Sequence, residues 1–382
     1  MAVPFYRHDL DPKAAEAVAE VIATPFLTSG AVGREVEQQL RDFFGIEHAL
    51  LVNSWTNGAL ATLLALGIGP GDEVIVPAMT FIATANVVRL AGAEPVFVDV
   101  DPEDLLMQPE AAAAKVTERT RAVIPVHLYG RMCDLPGLRA ALGGRDDVAI
   151  IEDAAHCFEG SRGGLRPGEA SNAAIFSFYA TKNVTCGEGG AIITRDPELA
   201  QRIHETRLHG MSALAIDRMR DSTYRHWDMV RLGAKANLPD LLAALLPPQI
   251  SAIREKLPRR EEIARRYEAA FRGTPLRLPS PVADGVDARH LFCIHVPPGC
   301  RDQAIAALNA RDIGVTVNYR AVPTLTDYRR TYGYGPADFP VSQLWGEGTV
   351  SLPLYPGLSA AQQDEVIAAV LDDVVPLARA AA

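Results

Sequence analysis

Short apolar runs alternate with helical stretches between about residues 34 and 200, and this alternation limits the fold more than any other feature. The runs are rich in Val and Ile, as is typical of strands buried on both faces. The pattern predicts βα units that form a mainly parallel sheet covered by helices on both sides. The predicted strands are 48–53, 73–78, 95–100, 122–127, 148–153, 173–178 and 191–195, and the predicted helices are 57–66, 83–91, 109–116 and 198–208.

The character of the sequence changes after about residue 245. The segment 251–271 is rich in charged residues and is interrupted by Pro258, and a stretch rich in Pro and Gly follows it. This change in composition predicts a domain boundary. Beyond it, apolar periodicity predicts a smaller α+β domain, with elements at 290–296, 302–311, 314–319 and 360–377. We therefore expect a large domain over 1–245, which includes the N-terminal segment, and a small domain over 246–382.

Charge and cysteine content exclude several classes of partner. The 382 residues carry 37 Lys and Arg against 47 Asp and Glu, a net charge of −10, which disfavours binding to nucleic acid or to an acidic membrane surface. The five cysteines lack metal-binding or redox spacing, and the acidic run 99–104 is broken by Pro102, so we expect no metal site. Reduced thiols and the lack of any long apolar run predict a cytoplasmic protein.

Polar side chains follow several predicted strands directly. Asp153 and His156 come at the end of one strand, and Ser177 and Lys182 come at the end of another. A polar turn at 53–58 leads into a helix, whose N-terminal amides and dipole favour an anion. Because ligands bind at the carboxyl ends of strands in open parallel sheets, we expect these groups to share one site.

An amine, a carboxylate and an anion cradle are the groups that pyridoxal 5′-phosphate (PLP) requires. Lys182 can form the Schiff base, and Asp153 can keep the pyridinium nitrogen protonated, so that the ring can accept electrons. When its amine is released, Lys182 can also carry the substrate proton. Each residue alone also fits a structural role, such as a solvated lysine or an aspartate that caps a helix, and only their joint arrangement indicates a PLP site.

Several segments closely resemble the DegT-type (StrS-like) sugar aminotransferases, a PLP-dependent family of fold type I. The resemblance covers about residues 20–370 and is carried by 80–86, 97–102, 125–130, 153–156, 176–190, 207–211 and 351–356. It implies the aspartate aminotransferase-like α/β fold, with a mainly parallel seven-stranded sheet in the large domain and a small α+β C-terminal domain.

The resemblance also implies roles for individual residues. Lys182 would be the Schiff-base lysine, Asp153 the pyridinium partner, and His156 the neighbour of the phenolic oxygen of the cofactor. The other cofactor-binding residues would be Thr56, Asn57 and Ser177 at the phosphate, Lys235 at the phosphate of the partner subunit, and Phe81 on the ring; the substrate-binding candidates are Tyr319, Arg207 and Arg320. The chain departs from the family in having Trp55 in the phosphate cradle, and Lys235 and Asn237 where Asn and Arg are usual.

The expected function is a two-step, ping-pong transfer of an amino group. L-glutamate would aminate PLP to pyridoxamine 5′-phosphate (PMP), and a nucleotide-linked 4-keto-6-deoxyhexose or 4-keto-pentose would then accept the amino group in a homodimer with shared sites. The product would be an amino sugar for a polysaccharide or a glycosylated metabolite. The alternatives are a transaminase of a keto-cyclitol or free keto sugar, a sugar 3-dehydratase and a regulator without turnover; relatives of the dehydratase type have His in place of Lys182.

Overall fold

The structure, a computed structural model, describes residues 2–212 and 226–381. Its centre is a seven-stranded sheet in which β8 is antiparallel to both of its neighbours and the other pairings are parallel, in the order β1-β8-β7-β5-β4-β2-β3. The strands of the chain are β1 (His48–Val52), β2 (Glu73–Pro77), β3 (Glu94–Val98), β4 (Thr120–Val123), β5 (Ala149–Asp153), β6 (Ser161–Arg162), β7 (Ala173–Ser177), β8 (Gly190–Thr194), β9 (Gly285–Val286), β10 (Phe292–His295) and β11 (Thr349–Leu352). The seven strands predicted between residues 48 and 195 all lie in this sheet, which confirms the predicted fold class.

Helices cover both faces of the sheet. They are α1 (Ala14–Ile22), α2 (Ala31–Phe44), α3 (Trp55–Ala65), α4 (Ile82–Leu90), α5 (Pro109–Ala113), α6 (Leu135–Ala141), α7 (Pro197–Thr206), α8 (Asp240–Ala243), α9 (Pro247–Phe271), α10 (Arg301–Ala310), α11 (Thr326–Tyr332), α12 (Pro340–Gly348), α13 (Ala360–Ala369) and α14 (Val375–Ala380). In β1, Leu50 and Val52 pack with α3 and α7, whereas Ala49 and Leu51 pack with α2 on the other face. This alternation explains why the strand reads as continuously apolar. None of the described helices is both long and apolar enough to cross a membrane.

A second hydrophobic cluster lies in the C-terminal part of the chain. It joins α9, α10 and α13 to the antiparallel pair of β10 and β11, and Val3 from the N-terminal segment packs into the same cluster. Other C-terminal side chains, such as Tyr328 and Trp345, belong to the clusters that flank the large sheet. The division at residues 245 and 246 remains a prediction.

Three details of the C-terminal half differ from the sequence prediction. Pro258 does not interrupt its segment, because α9 is continuous and buries Ile253, Ile263 and Tyr267 in tertiary contacts that offset the hydrogen bond lost at proline. The element expected at 314–319 is neither a helix nor a strand and makes a single bridge, between Thr316 and Ser351. β11 was not predicted.

Candidate active site

A cavity of about 590 Å³ opens at the carboxyl ends of β5 and β7. The register explains its position: Asp153 pairs with Ile175 in β7, and Ser177 pairs with Gly190 in β8, so the ends of three adjacent strands meet there. The cavity brings together many of the predicted site residues, namely Thr56, Phe81, Asp153, His156, Ser177, Lys182 and Tyr319.

Asp153 ends β5 and is held by two donors. The Thr84 hydroxyl donates to Oδ2 at 2.9 Å, and the backbone N–H of Ala155 donates to Oδ1 at 3.2 Å. Only 6% of the residue is exposed, so burial raises the pKa of the carboxyl, while these donors and the charge of Lys182 oppose the rise. A cationic N–H placed here would pair with the buried charge and reduce its cost.

Lys182 lies in the turn after β7, and its side chain lines the cavity. Its side chain forms no hydrogen bond or ion pair with any residue in the described ranges 2–212 and 226–381. Burial lowers the pKa of the amine to about 8, against the opposing charge of Asp153. About a tenth of the amine is therefore unprotonated at pH 7, far more than for an ordinary lysine, and can act as a nucleophile.

His156 is fixed in one tautomer by its neighbours. The backbone N–H of Tyr129 faces Nδ1 at 3.3 Å, so Nδ1 must accept and the proton of the neutral ring lies on Nε2. Nε2 lies 3.1 Å from the hydroxyl of Tyr319. Burial, together with the charges of Lys182 and His290, lowers the pKa of His156 well below its usual value. The ring is thus neutral and can donate a hydrogen bond from Nε2.

The start of α3 forms an anion cradle. Ser54 caps the helix by accepting from the N–H of Asn57 at 3.1 Å. The N–H groups of Trp55 and Thr56 belong to the first turn, where helix geometry provides no intrahelical acceptor. Both residues line the cavity, as does Ser177. The Trp55 side chain itself packs into the hydrophobic core with 6% exposure, so its bulk is directed away from the cradle.

The donor and acceptor groups of the cavity therefore fit PLP. The unpaired amine of Lys182 matches an aldehyde carbon, and the buried carboxylate of Asp153 matches a pyridinium N–H. The N-terminal amides of α3 match a phosphate.

Four predicted site residues lie outside this cavity. Arg207 is 7% exposed, and its guanidinium forms an ion pair with Glu37 at 2.8 Å and donates a hydrogen bond to the carbonyl of Leu51. The amide of Asn57 donates to Asn53. Arg320 and Lys235 are exposed and do not line the cavity of their own chain.

The cavity also contains residues that the sequence analysis did not select. Phe5 and Tyr6 come from the N-terminal segment, Thr84 from α4 and His290 from the segment just before β10. Thr84 lies in a segment whose resemblance to the family was noted, and its position in the first turn of the helix that follows β2 could have marked it. His290 had no comparable signal.

Comparison with known proteins identifies the family. Residues 8–371 match the DegT/DnrJ/EryC1/StrS aminotransferase family. Spr1654 of Streptococcus pneumoniae in its PMP form, which its name assigns provisionally to the sugar aminotransferases, is 27% identical, with 100% of both chains covered and a TM-score of 0.91. DesV of S. venezuelae is 31% identical over 97% of this chain and 98% of its own, with a TM-score of 0.87. Helicobacter pylori PseC, an aminotransferase of pseudoaminic acid biosynthesis, is 25% identical over 97% and 98%, with a TM-score of 0.89. The chain therefore belongs to the DegT/DnrJ/EryC1/StrS aminotransferase family and is a PLP-dependent enzyme.

Proposed function

We propose that this enzyme transfers the amino group of L-glutamate to a nucleotide-linked keto sugar of the 4-keto-6-deoxyhexose or 4-keto-pentose type. The observation that carries the proposal is the unpaired amine of Lys182 in one cavity with the buried carboxylate of Asp153. At about 590 Å³, the cavity is in the size range of sites for ligands larger than a cofactor alone. The similarity to PseC, which takes part in pseudoaminic acid biosynthesis, supports a sugar acceptor.

Lys182 has two tasks in this proposal. Its amine, with a pKa lowered to about 8, is the nucleophile that attaches the cofactor. When bound, PLP supplies an aldehyde that carries the amino group and a ring that accepts electron density. Once released from the cofactor, the amine of Lys182 would take the proton from the α-carbon of the amino acid and would return it to the carbon of the cofactor that had carried the aldehyde.

The remaining cofactor contacts orient the ring. Asp153, held by Thr84, keeps a negative charge opposite the ring nitrogen. His156 donates from Nε2 toward the phenolic oxygen, and Phe81, which lines the cavity and is 52% exposed, covers one ring face. Thr56 and Ser177 bind the phosphate together with the amides of α3. The neutral state of His156 matters, because a second cation here would compete with Lys182 for the charge of Asp153.

The sugar nucleotide enters over Tyr6, which lines the cavity and is 39% exposed, and reaches Tyr319, whose hydroxyl lies 3.1 Å from the buried His156. Arg320 is exposed and directly follows Tyr319, so it is the cation of this chain that we place at the diphosphate. Arg207 is not included, because its guanidinium is already paired with Glu37. The product would be an amino sugar for a polysaccharide or a glycosylated metabolite, made in the cytoplasm, where the free thiols of this chain would stay reduced.

We also propose a homodimer with shared active sites. Phe81 and Tyr179 line the cavity yet are 52% and 46% exposed, and Leu232, three residues before Lys235, is 81% exposed. Large apolar side chains in such positions are typical of a surface that another protein covers. Lys235, exposed in its own chain, would then reach the phosphate in the partner. Mixing inactive Lys182→Ala and Lys235→Ala chains should restore part of the activity if sites are shared, and no recovery would contradict sharing.

The attachment of PLP is tested with Lys182→Ala. The wild type, loaded with PLP and reduced with borohydride, should carry the cofactor on the peptide that contains Lys182, and glutamate should remove the visible absorbance. Lys182→Ala should fold, lose the covalent link and lose turnover. Lys115→Ala, at an exposed lysine on α5's C-terminal side, is the control and should behave as the wild type. Turnover in Lys182→Ala would refute the assignment, and absorbance that glutamate leaves unchanged would indicate a regulator.

The acceptor is tested on the PMP form. Nucleotide-linked 4-keto sugars, free keto sugars and keto-cyclitols are offered in turn, and the return of the PLP absorbance is followed. We expect the nucleotide-linked sugars to react at least tenfold faster, because the diphosphate adds charge-assisted hydrogen bonds. A faster reaction with a keto-cyclitol would overturn the proposed substrate class and leave the transaminase chemistry standing.

A further inference from the structure

A buried polar cluster lies directly behind the catalytic lysine. Asn183, the residue after Lys182, donates through Nδ2 to Glu159 Oε1 at 3.3 Å and to the carbonyl of Ala288 at 2.9 Å. Arg260 of α9 donates to the same two acceptors: its NH2 group pairs with Glu159, and its Nε lies 3.2 Å from the Ala288 carbonyl. The side chains of Arg260 and Glu159 are 2% and 0% exposed, so this pairing is fully shielded from water.

The cluster fixes the orientation of the Asn183 amide. Both N–H groups of its nitrogen are taken by oxygen acceptors, so Oδ1 must face the other way, toward Nδ1 of His290 at 3.3 Å. An amide oxygen can only accept, and Nδ1 of His290 therefore carries the proton of this ring. The neutral ring then has its lone pair on Nε2.

Nε2 of His290 is free to accept a hydrogen bond. Nε2 has no hydrogen-bond partner among the residues of ranges 2–212 and 226–381, although His290 is only 5% exposed and lines the catalytic cavity. His290, Lys182 and His156 also line a small adjoining cavity, and the ring centroids of the two histidines are 4.4 Å apart. The groups that face His290 are thus the cations of Lys182 and Arg260 and the neutral, donating ring of His156.

These two histidines are held in opposite tautomers. His156 presents a donor at Nε2, whereas His290 presents an acceptor. Burial and the charges of Lys182 and Arg260 lower the pKa of His290 well below its usual value, which keeps the lone pair available. An acceptor beside an otherwise unpaired amine is the arrangement that orients a lysine.

We propose that His290 is a positioning residue for Lys182: its Nε2 accepts a hydrogen bond from the lysine amine when rotation of the lysine side chain brings the amine to it across the small cavity that both residues line. The Glu159–Arg260–Asn183 cluster holds the imidazole in the tautomer that can accept this bond. The inference rests on the proposed role of Lys182. It concerns only how this chain holds its own amine and can be tested without turnover. Loss of a hydrogen bond to the ammonium destabilises the charged form, so removing the acceptor should lower the pKa of Lys182.

The test measures the pKa of Lys182 in the full chain without cofactor. Trace acetylation at a series of pH values, read by mass spectrometry of the Lys182 peptide against exposed Lys115, gives this pKa directly. In the wild type, the pKa of Lys182 should be about 8. His290→Phe, which keeps a ring of similar size, should lower the pKa by about one unit, because a hydrogen bond to a charged group is lost. His290→Gln, which restores an acceptor and a donor, should return the value toward the wild type.

Two further variants separate positioning from structure. Asn183→Ala releases the His290 ring and should also lower the pKa, so it decides the question if His290→Phe does not fold. His295→Phe removes a buried histidine outside the cavity, whose Nε2 is engaged by the Leu344 carbonyl, and should lower the melting temperature without moving the pKa. An unchanged pKa in His290→Phe, an equal shift in His295→Phe, or no recovery in His290→Gln would each overturn the proposal.

Failure of this proposal can be told apart from failure of the proposed function. If Lys182 is not the residue that holds PLP, borohydride reduction leaves no cofactor on the Lys182 peptide of the wild type, whatever the acetylation shows. If only the role of His290 is wrong, the cofactor still attaches to Lys182 in His290→Phe, and the lysine titrates as in the wild type.

Discussion

The substitution Thr84→Val tests how Asp153 is kept ionised. Thr84 is 1% exposed, and its hydroxyl donates to Oδ2 of Asp153 at 2.9 Å. Valine has nearly the same shape and removes this donor, together with the acceptor of the Thr80 hydroxyl. A hydrogen bond to a charged, buried group contributes about 1.5–3 kcal/mol, and one pKa unit corresponds to about 1.4 kcal/mol. The pKa of Asp153, already raised by burial, should therefore rise by about one to two further units.

The direction of the pKa change predicts at which pH the loss of PLP affinity should be largest. A carboxyl with a higher pKa is protonated over a wider range of acidic pH, and a neutral Asp153 no longer pairs with a pyridinium N–H. The affinity of Thr84→Val for PLP should therefore fall most at the acidic end of the pH range and recover toward the wild-type value as the pH rises. The dissociation constant is measured by absorbance titration at a series of pH values.

Two matched variants control for the loss of a threonine hydroxyl. Thr80 is as buried as Thr84, but its hydroxyl bonds to Thr84 at 2.9 Å rather than to Asp153, so Thr80→Val should give a smaller effect. Thr206→Val removes a buried hydroxyl that donates to the Arg202 carbonyl in α7, and it should leave PLP affinity unchanged. Equal PLP affinity in Thr84→Val and the wild type at every pH, or a defect that grows as the pH rises, would refute the reasoning.

Three further predictions concern other parts of the molecule. Nδ1 of buried His127 accepts from the backbone N–H of Cys133 at 3.2 Å, so its neutral ring donates from Nε2 to Glu152 at 2.7 Å. Glu152 also accepts from the N–H of Gly168 at 2.7 Å, so Glu152→Gln places an NH2 group against one of these donors. The substitution should lower the free energy of unfolding in urea by about 3 kcal/mol, and an unchanged value would contradict this role for the buried carboxylate. Arg207→Met should lower the free energy of unfolding by about 2 kcal/mol, because Glu37 loses its partner, and should leave kcat unchanged. If stability were unchanged and turnover were lost, Arg207 would have to be a substrate ligand after all. Tyr6→Ala should raise the KM for the keto sugar several-fold without changing the glutamate half-reaction, and equal losses in both half-reactions would contradict a place at the acceptor mouth.

The strand ends of the large sheet could be predicted because their chemistry is local. Asp153 and Lys182 follow Val- and Ile-rich runs, and the edge at which parallel strands end is fixed by topology. The partner of Asp153 was harder to find, since Thr84 is 69 residues away along the chain and meets it only through the packing of α4. Pro258 was misread for a similar reason: local propensity marks proline as a break, whereas the burial of α9 is a tertiary effect.

Charged residues show most clearly that a partner distant in the sequence cannot be predicted from local patterns. In the sequence, Arg207 and Arg260 are indistinguishable from any cation that could meet a diphosphate, yet each is buried against a carboxylate from a distant segment, Glu37 or Glu159. Taking an arginine out of water requires such a partner, and that partner is specified by the fold rather than by spacing along the chain. The cluster behind Lys182 consequently joins four segments that no local motif connects. A motif can therefore identify the residue that reacts, whereas the groups that hold it in place become visible only when the folded chain brings them together.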